Sequence, residues 1–495
     1  MHLHGGLVPW ISDGTPHQWT TPAGEDTQYP VGVSTEYVPD MWYDANGDVI
    51  PGTEGQTTQP AGHPDATNNP SGPANINGEG SMTFYYNNQQ SARLQFYHDH
   101  AYGITRLNVY AGEAAPYLIA DAVEKDLIDG TNLTGVNPNG FQIPGGPAGA
   151  GIAYYGLPLV LQDKTFVDAN TIAAQDPTWK WGTGEIVNGR RVPNTGDLWL
   201  PSVYMPVQNP FDLVGEANAF GRWQYGPWFW PPTESVVNGP IPNEYYDPGC
   251  DPALTWCEPP VRPDMPTPSM GMEAYMDTSL VNGAVYPYLE VDPKAYRFRL
   301  LNAANDRFYN LSMFVAVDAA GNPCDVATNP TPVAESSGVT CTEVKMVDAL
   351  TNAAYPTWPA DSRAGGAPDP LLSGPDWIQI GTEGGFLPAP AVIPAQPITW
   401  QMNPGLFNVG NVLDHSLLIG NAERADVIVD FSQFAGKTII VYNDAPTAFP
   451  ALDPRYDYYT GNPSQMDSGG APTTQPGYGP NTRTVMQIRV SNTAA

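Results

Sequence analysis

Apolar and polar residues alternate with a period of two in several short stretches of this chain. Residues 82–86 and 93–97 do so, and in 296–300 Tyr296, Phe298 and Leu300 alternate with Arg297 and Arg299. That period puts one set of side chains on each face of a pleated strand, so 296–300 reads as a strand with an apolar face and a wet face. A continuous apolar run at 157–163, and runs at 427–431, 438–442 and 485–490, read as further strands. Stretches rich in Pro, Gly and Asn separate them, and no repeat of solenoid or propeller length is present. The pattern predicts an all-β chain of sandwiches or barrels.

Two units are expected. The first covers residues 1–150 and closes in a linker, PGGPAGAG from Pro144; the second, 151–495, opens on the apolar run at 157–163. Within the second, about 177–268 forms a long insertion rich in Pro, Trp and Tyr, including WFWPP from Trp228. A connection of that length is functional or an ordered insertion. The aromatic group Trp228–Trp230 either covers a core edge or lines a substrate approach.

Composition agrees with the pattern. The 495 residues include 54 Pro and 50 Gly, which break regular elements, with 13 Trp and 26 Tyr, which fit pleated surfaces. Net charge is −31, from 51 acidic against 20 basic residues, so a nucleic-acid partner is not expected and cations are drawn in. Solubility in a saline or acidic medium accounts for the same charge, so it selects no substrate. No apolar stretch approaches the ~20 residues of a membrane span, and a leader, if the protein is exported, is missing from this chain.

The four cysteines fall in Pro/Gly/Asp-rich loops as Cys250 with Cys257 and Cys324 with Cys341. Four cysteines allow three connectivities, of which the local one is favoured. Bridges imply an oxidising compartment, and an extracellular, periplasmic or cell-surface location is expected.

Of seven His, four form two His-x-His pairs, His2/His4 and His98/His100. On a strand, positions i and i+2 share a face, so each pair is a pre-aligned double imidazole for one metal or two adjacent ones. A single pair would be unremarkable surface or core chemistry; two pairs point to a metal site for Zn, Cu, Fe or Ni. His17, His63 and His415 lack partners in sequence and read as surface or structural. Asp13, in a Ser-Asp-Gly turn, is a turn residue as much as a functional carboxylate. Gly5-Gly6 marks a bend or a close backbone approach.

The surroundings of the pairs add a resemblance. HLHGGLVPWISDG from His2 and YHDHAYGITR from Tyr97 resemble the first two copper motifs of multicopper oxidases, the bacterial spore-coat laccases and bilirubin oxidases in particular. VNGAVYPYLEV from Val281, YRFRLLNA from Tyr296, YNLS from Tyr309, QIGTEGG from Gln379, ERADV from Glu423 and NDAP from Asn443 resemble that group's middle domain. The resemblance implies cupredoxin-like Greek-key β-sandwich domains. It also implies a copper oxidoreductase coupling one-electron oxidation of phenols, tetrapyrroles or ions such as Mn(II) and Fe(II) to reduction of O2 to water. By position, His2 would bind the type 2 copper and His4, His98 and His100 the type 3 coppers of a trinuclear cluster held between the first and third domains. Asp13 matches a carboxylate that helps move protons there. A zinc hydrolase suits the His spacing but not the flanking residues.

The sequence departs from the family in having no His-x-x-His-x-His and no His-Cys-His run, so it offers no type 1 copper site. The first domain also starts on its copper motif, without opening strands. The expectation is an incomplete first domain and a second domain with long insertions. The third domain, with its type 1 copper, would be supplied by a longer chain or a second polypeptide, and this chain alone would be inactive. The alternative is a non-catalytic cupredoxin-like protein that binds copper or serves structure.

Overall fold

The computed structural model describes residues 1–16, 18–20, 32–33, 84–101, 105–175, 179, 181–187, 190–200, 240–242, 246–251, 261–263, 275–318, 320–325, 341–401, 403–414, 417–445, 457–464, 471–477 and 479–492. Strands dominate. The longer elements are β1 His2–His4, β2 Arg93–His98, α1 Thr105–Ala111, β3 Ala114–Ile119, α2 Ala122–Asp129, β4 Leu157–Lys164, β5 Thr278–Val281, β6 Ala284–Val285, β7 Tyr288–Val291, β8 Ala295–Asn302 and β9 Tyr309–Val315. They continue with β10 Trp377–Thr382, β11 Gly385–Ile393, β12 Leu418–Ile419, β13 Arg424–Asp430, β14 Thr438–Asn443 and β15 Thr484–Val490. The predicted strands at 93–97, 157–163, 296–300, 438–442 and 485–490 are present within a residue or two, and that at 427–431 is present but begins three residues earlier, at Arg424. At 82–86, residues 82 and 83 lie outside the described residues, and 84–86 is irregular rather than strand.

Two sheets face each other over residues 157–490. One has seven strands in the order β6-β5-β4-β8-β13-β10-β11, the other five in the order β7-β15-β14-β9-β12. Successive strands cross between them, β8 to β9 and β13 to β14, which is how one apolar core can serve both. Phe298, Leu300, Val427 and Val429 point into it from the first sheet, and Leu311, Met313, Ile439 and Ile488 from the second. Burying one such side chain stabilises by about 1.5–3 kcal/mol, so the alternation decides the register.

The other face of the seven-stranded sheet is not wet. Arg297 and Arg299, expected to face solvent, are each 2% exposed. A third layer covers them, consisting of the sheet β1-β2-β3, α2 and the turn at Gly151–Tyr155. Arg297 donates from Nε to Asp426 Oδ1 at 2.8 Å and lies 2.9 Å from Glu124 Oε1 through Nη2. Arg299 donates from Nε to Tyr155 O at 2.8 Å and from Nη2 to Glu124. Glu124 comes from α2, whose start is capped by Asp121, which accepts from the Glu124 backbone N–H at 2.8 Å, and whose end turns at Gly130 with φ 66°. A period of two cannot distinguish a charged face in water from one buried under another layer.

Leu94, Phe96, Val160, Leu301 and Ala303 form a second apolar cluster on that outer face, seating β2 on β4 and β8. This contact fixes the small sheet that carries the histidines.

Cys324 and Cys341 are bridged, with Cα atoms 6.0 Å apart and a sequence separation of 17. Cys250 is also disulfide-bonded, while Cys257 lies outside the described residues. Closing a loop of that length stabilises by about 3 kcal/mol. Replacing Cys324 and Cys341 together by Ala is therefore expected to lower the unfolding free energy by about that amount. Urea titration reads this directly; an unchanged midpoint would show that the bridge does not restrain the unfolded chain. Among the described residues no helix is long and apolar enough to cross a membrane.

Candidate metal centre

β1 and β2 pair antiparallel with His2 opposite His98 and His4 opposite Phe96. Because side chains alternate, His2, His4, Phe96 and His98 share one face, and Leu3 between the two histidines is buried on the other. The second pair is not wholly on its strand. The last partner of β2 is Ala114, opposite His98; Asp99 then turns the chain, its side chain accepting from the Ala101 N–H at 3.1 Å. His100 follows that turn and still swings back to the others.

The four imidazoles converge. Ring centroids are 5.0 Å apart for His2 and His100, 5.5 Å for His2 and His98, 5.4 Å for His4 and His98, and 5.5 Å for His98 and His100. His2, His4 and His98 each offer a ring nitrogen within 4.8 Å of the other two. His4 Nδ1 and His98 Nε2 are 3.2 Å apart. The Phe96 ring stacks on both His4 and His98, with centroids 4.7 and 5.3 Å away.

Backbone carbonyls orient the rings. His2 Nδ1 lies 2.6 Å from Asp13 O and His98 Nδ1 2.5 Å from Asp99 O. With Nδ1–H donating in each, the Nε2 lone pairs are left for a metal, the usual arrangement of an imidazole ligand and its supporting acceptor. Asp13 reaches this place through the short 3-10 turn Trp10–Ser12, and Gly14 beyond it has φ 68°. A Cβ there would fall 1.7 Å from Met1 O, so only glycine fits. Gly5 ends β1 with φ 83°, and its carbonyl accepts from Gln90 and Gln95, both at 2.8 Å. The Asp13 carboxylate stands 3.6 Å from His2 Nδ1 and is partly open to solvent.

Burial holds His4 down to about 4, well below its usual 6.5, with the nearby cation of Arg424 and the other imidazoles adding to the effect. Burial also lowers His98. Neutral imidazoles keep the lone pairs that a metal needs. In the metal-free protein the unfolded chain takes up a proton near pH 6.5 that folded His4 refuses until about 4. The stability this group contributes is full above 6.5 and lost as pH falls toward 4. Unfolding midpoints measured across that window should fall, and His4→Gln should flatten the fall; parallel curves for the two proteins would contradict it.

Among the described residues, His100 Nδ1 is buried without a hydrogen-bond partner, as expected of a ring nitrogen directed at something else. An all-imidazole donor set, with His4 and His98 held neutral by burial and His2 and His98 oriented by carbonyls, fits copper or a neighbouring first-row ion and does not fit calcium or magnesium. The residues present therefore fit a copper ion held by imidazoles. His17, His63, His415 and the aromatic group Trp228–Trp230 lie outside the described residues. Phe96 and Arg424 were not singled out from the sequence; Phe96 is the i−2 neighbour of His98, which is the one signal that could have found it.

No family model matches the chain. Individual relatives do. A laccase of Bacillus stratosphericus is 25% identical over 445 residues, 90% of this chain and 43% of that protein. A laccase of Bacillus subtilis (strain 168) is 23% identical over 445 residues, 90% of this chain and 42% of that protein. The solved McoA multicopper oxidase of Aquifex aeolicus is 16% identical, with a TM-score of 0.37 over all of this chain and 50% of that one. The chain is thus similar over most of its own length to proteins described as laccases, and its described residues are mostly strands. It spans less than half the length of the two laccases it matches.

Proposed function

We propose that this chain is the part of a laccase-like multicopper oxidase that supplies half of a trinuclear copper site. The observation that carries the reading is the convergence of His2, His4, His98 and His100. In it, His2 holds the type 2 copper and His4, His98 and His100 the type 3 pair. The remaining donors and the type 1 copper come from a third cupredoxin domain, on a longer chain or a second polypeptide. The short span against the laccases supports this.

The bound coppers would supply electron transfer from a small reducing substrate to O2, giving water. This chain's residues orient and protect that chemistry. Asp13 O and Asp99 O fix the His2 and His98 tautomers. Phe96 walls one side of the cluster with an apolar ring, excluding water from His4 and His98. The Asp13 carboxylate, beside His2 and partly in solvent, can take a proton from the medium and release it at the cluster's edge. Substrates in this reading are phenols, tetrapyrroles, or Mn(II) and Fe(II), the cations being drawn by a net charge of −31. The Cys324–Cys341 bridge supports an extracellular, periplasmic or cell-surface location.

An oxygen electrode tests this. The 495-residue chain with excess copper should show no turnover of a phenolic or diamine dye, and addition of the complementary domain should restore it. Sustained oxygen consumption by the mass-verified chain alone would overturn the division of labour.

A further inference from the structure

The second unit contributes no imidazole to the cluster among the described residues, yet one of its side chains reaches it. Arg424 opens β13 on the outer face of the seven-stranded sheet and is 6% exposed. Its Nε donates to Leu94 O at 3.0 Å, on the strand that carries His98, and its Nη1 donates to Ala422 O at 2.6 Å. Its guanidinium carbon lies 5.6 Å from the centroid of the Phe96 ring. That ring is the one stacked on His4 and His98. Its Nη2 crowds Gly5, where a Cβ would come within 2.8 Å. A single planar cation thus touches the backbone of β2, the ring beneath two of the imidazoles, and the turn that ends β1.

We propose that Arg424 is a positioning residue for the histidine cluster, clamping β1 and β2 in register through Leu94 O, Gly5 and the Phe96 ring. This rests on the reading of the cluster as a copper site. The physical reason is geometric. Two short strands joined by three residue pairs hold their rings only as well as their surroundings do. A guanidinium can donate in two directions within its plane and stack on an aromatic face at the same time. A lysine can stand over the ring as a point charge but lacks the fork. The bond to Leu94 O and the stack on Phe96 belong to the same guanidinium, so a shift of one moves the other. The seven-stranded sheet therefore sets cluster geometry without owning a ligand among the described residues, and this also accounts for a buried arginine at the start of β13, where a strand built for packing alone would take an apolar residue.

The test uses the full chain titrated with Cu(II) against a chelator, with the electron paramagnetic resonance spectrum of the bound ion and the unfolding midpoint as parallel readouts. Supporting side chains of metal ligands typically contribute roughly 10–100-fold in affinity. Arg424→Met and Phe96→Leu should each weaken Cu(II) binding by roughly that factor and change the hyperfine pattern, and Arg424→Lys should fall between Arg424→Met and the parent. If Arg424→Met stays folded and binds with parental affinity and spectrum, or loses stability with no spectral change, the positioning role is overturned while the copper site stands. If Arg424→Met does not fold, Phe96→Leu and Arg424→Lys decide, and parental binding in both overturns the role. If the parent binds no Cu(II), or His4→Ala binds as the parent does, the copper reading fails first and this inference with it.

Discussion

Glu124→Ala is expected to lower the free energy of unfolding by about 3–5 kcal/mol, the range for removing one partner of a buried ion pair. Glu124 is fully buried and faces both Arg297 and Arg299. Taking it away leaves two guanidiniums under the third layer with Asp426 as the remaining carboxylate in the group. The desolvation of the two cations is then offset by one anion instead of two. Because Glu124 sits on α2, which also ties Asp121 to the Ala92 N–H at 2.8 Å, the loss falls on the joint between the small sheet and the seven-stranded one. Glu124→Gln, which keeps the shape and one acceptor, should cost less. Urea unfolding of the three proteins measures both. A loss under about 1 kcal/mol for Glu124→Ala would mean that water or rearranged side chains neutralise the site, and the three-layer account of that face would fall.

Where the alternation was unambiguous, the strands were legible. Phe298 and Leu300, or Val427 and Val429, go to the sandwich core because an apolar face has nowhere else to go. What was illegible is what covers the opposite face. Arg297 and Arg299 read as solvated, and only the arrival of Glu124 from more than a hundred residues earlier makes their burial affordable. The histidine cluster divides in the same way. His-x-His on β1 told its own geometry, since i and i+2 share a face, and the flanking motifs pointed to copper. The pairing of His2 with His98 depends on a register set by Leu94, Phe96 and Leu301 packing together, and a one-residue slip would have sent the rings to opposite faces. Arg424 could not be found from its own neighbourhood, because its relation to Phe96 exists only in three dimensions.

The largest effect at the site is expected from His98→Ala. His98 touches every other member: its ring centroid is within 5.5 Å of those of His2, His4 and His100, and its Nε2 is 3.2 Å from His4 Nδ1. Its removal leaves His2, His4 and His100 around a gap. Loss of one imidazole should weaken copper binding by at least about 100-fold, beyond the roughly 10–100-fold typical of losing a supporting side chain. Asp13→Asn, which leaves every imidazole and the Asp13 carbonyl in place, should bind copper within a few-fold of the parent. In the complete assembly His98→Ala should abolish oxygen reduction while substrate still reduces the type 1 centre. Parental copper affinity in His98→Ala would remove His98 from the site.

The claim on which everything else depends is that these imidazoles hold copper, and X-ray absorption at the copper edge tests it most directly. The copper-loaded protein should show a shell of imidazole nitrogens at about 2 Å, with the outer-ring scattering that marks histidine, and His98→Ala should reduce the amplitude of that shell. A first shell of carboxylate oxygen or sulfur, or a histidine signal unchanged in His98→Ala, would contradict the account.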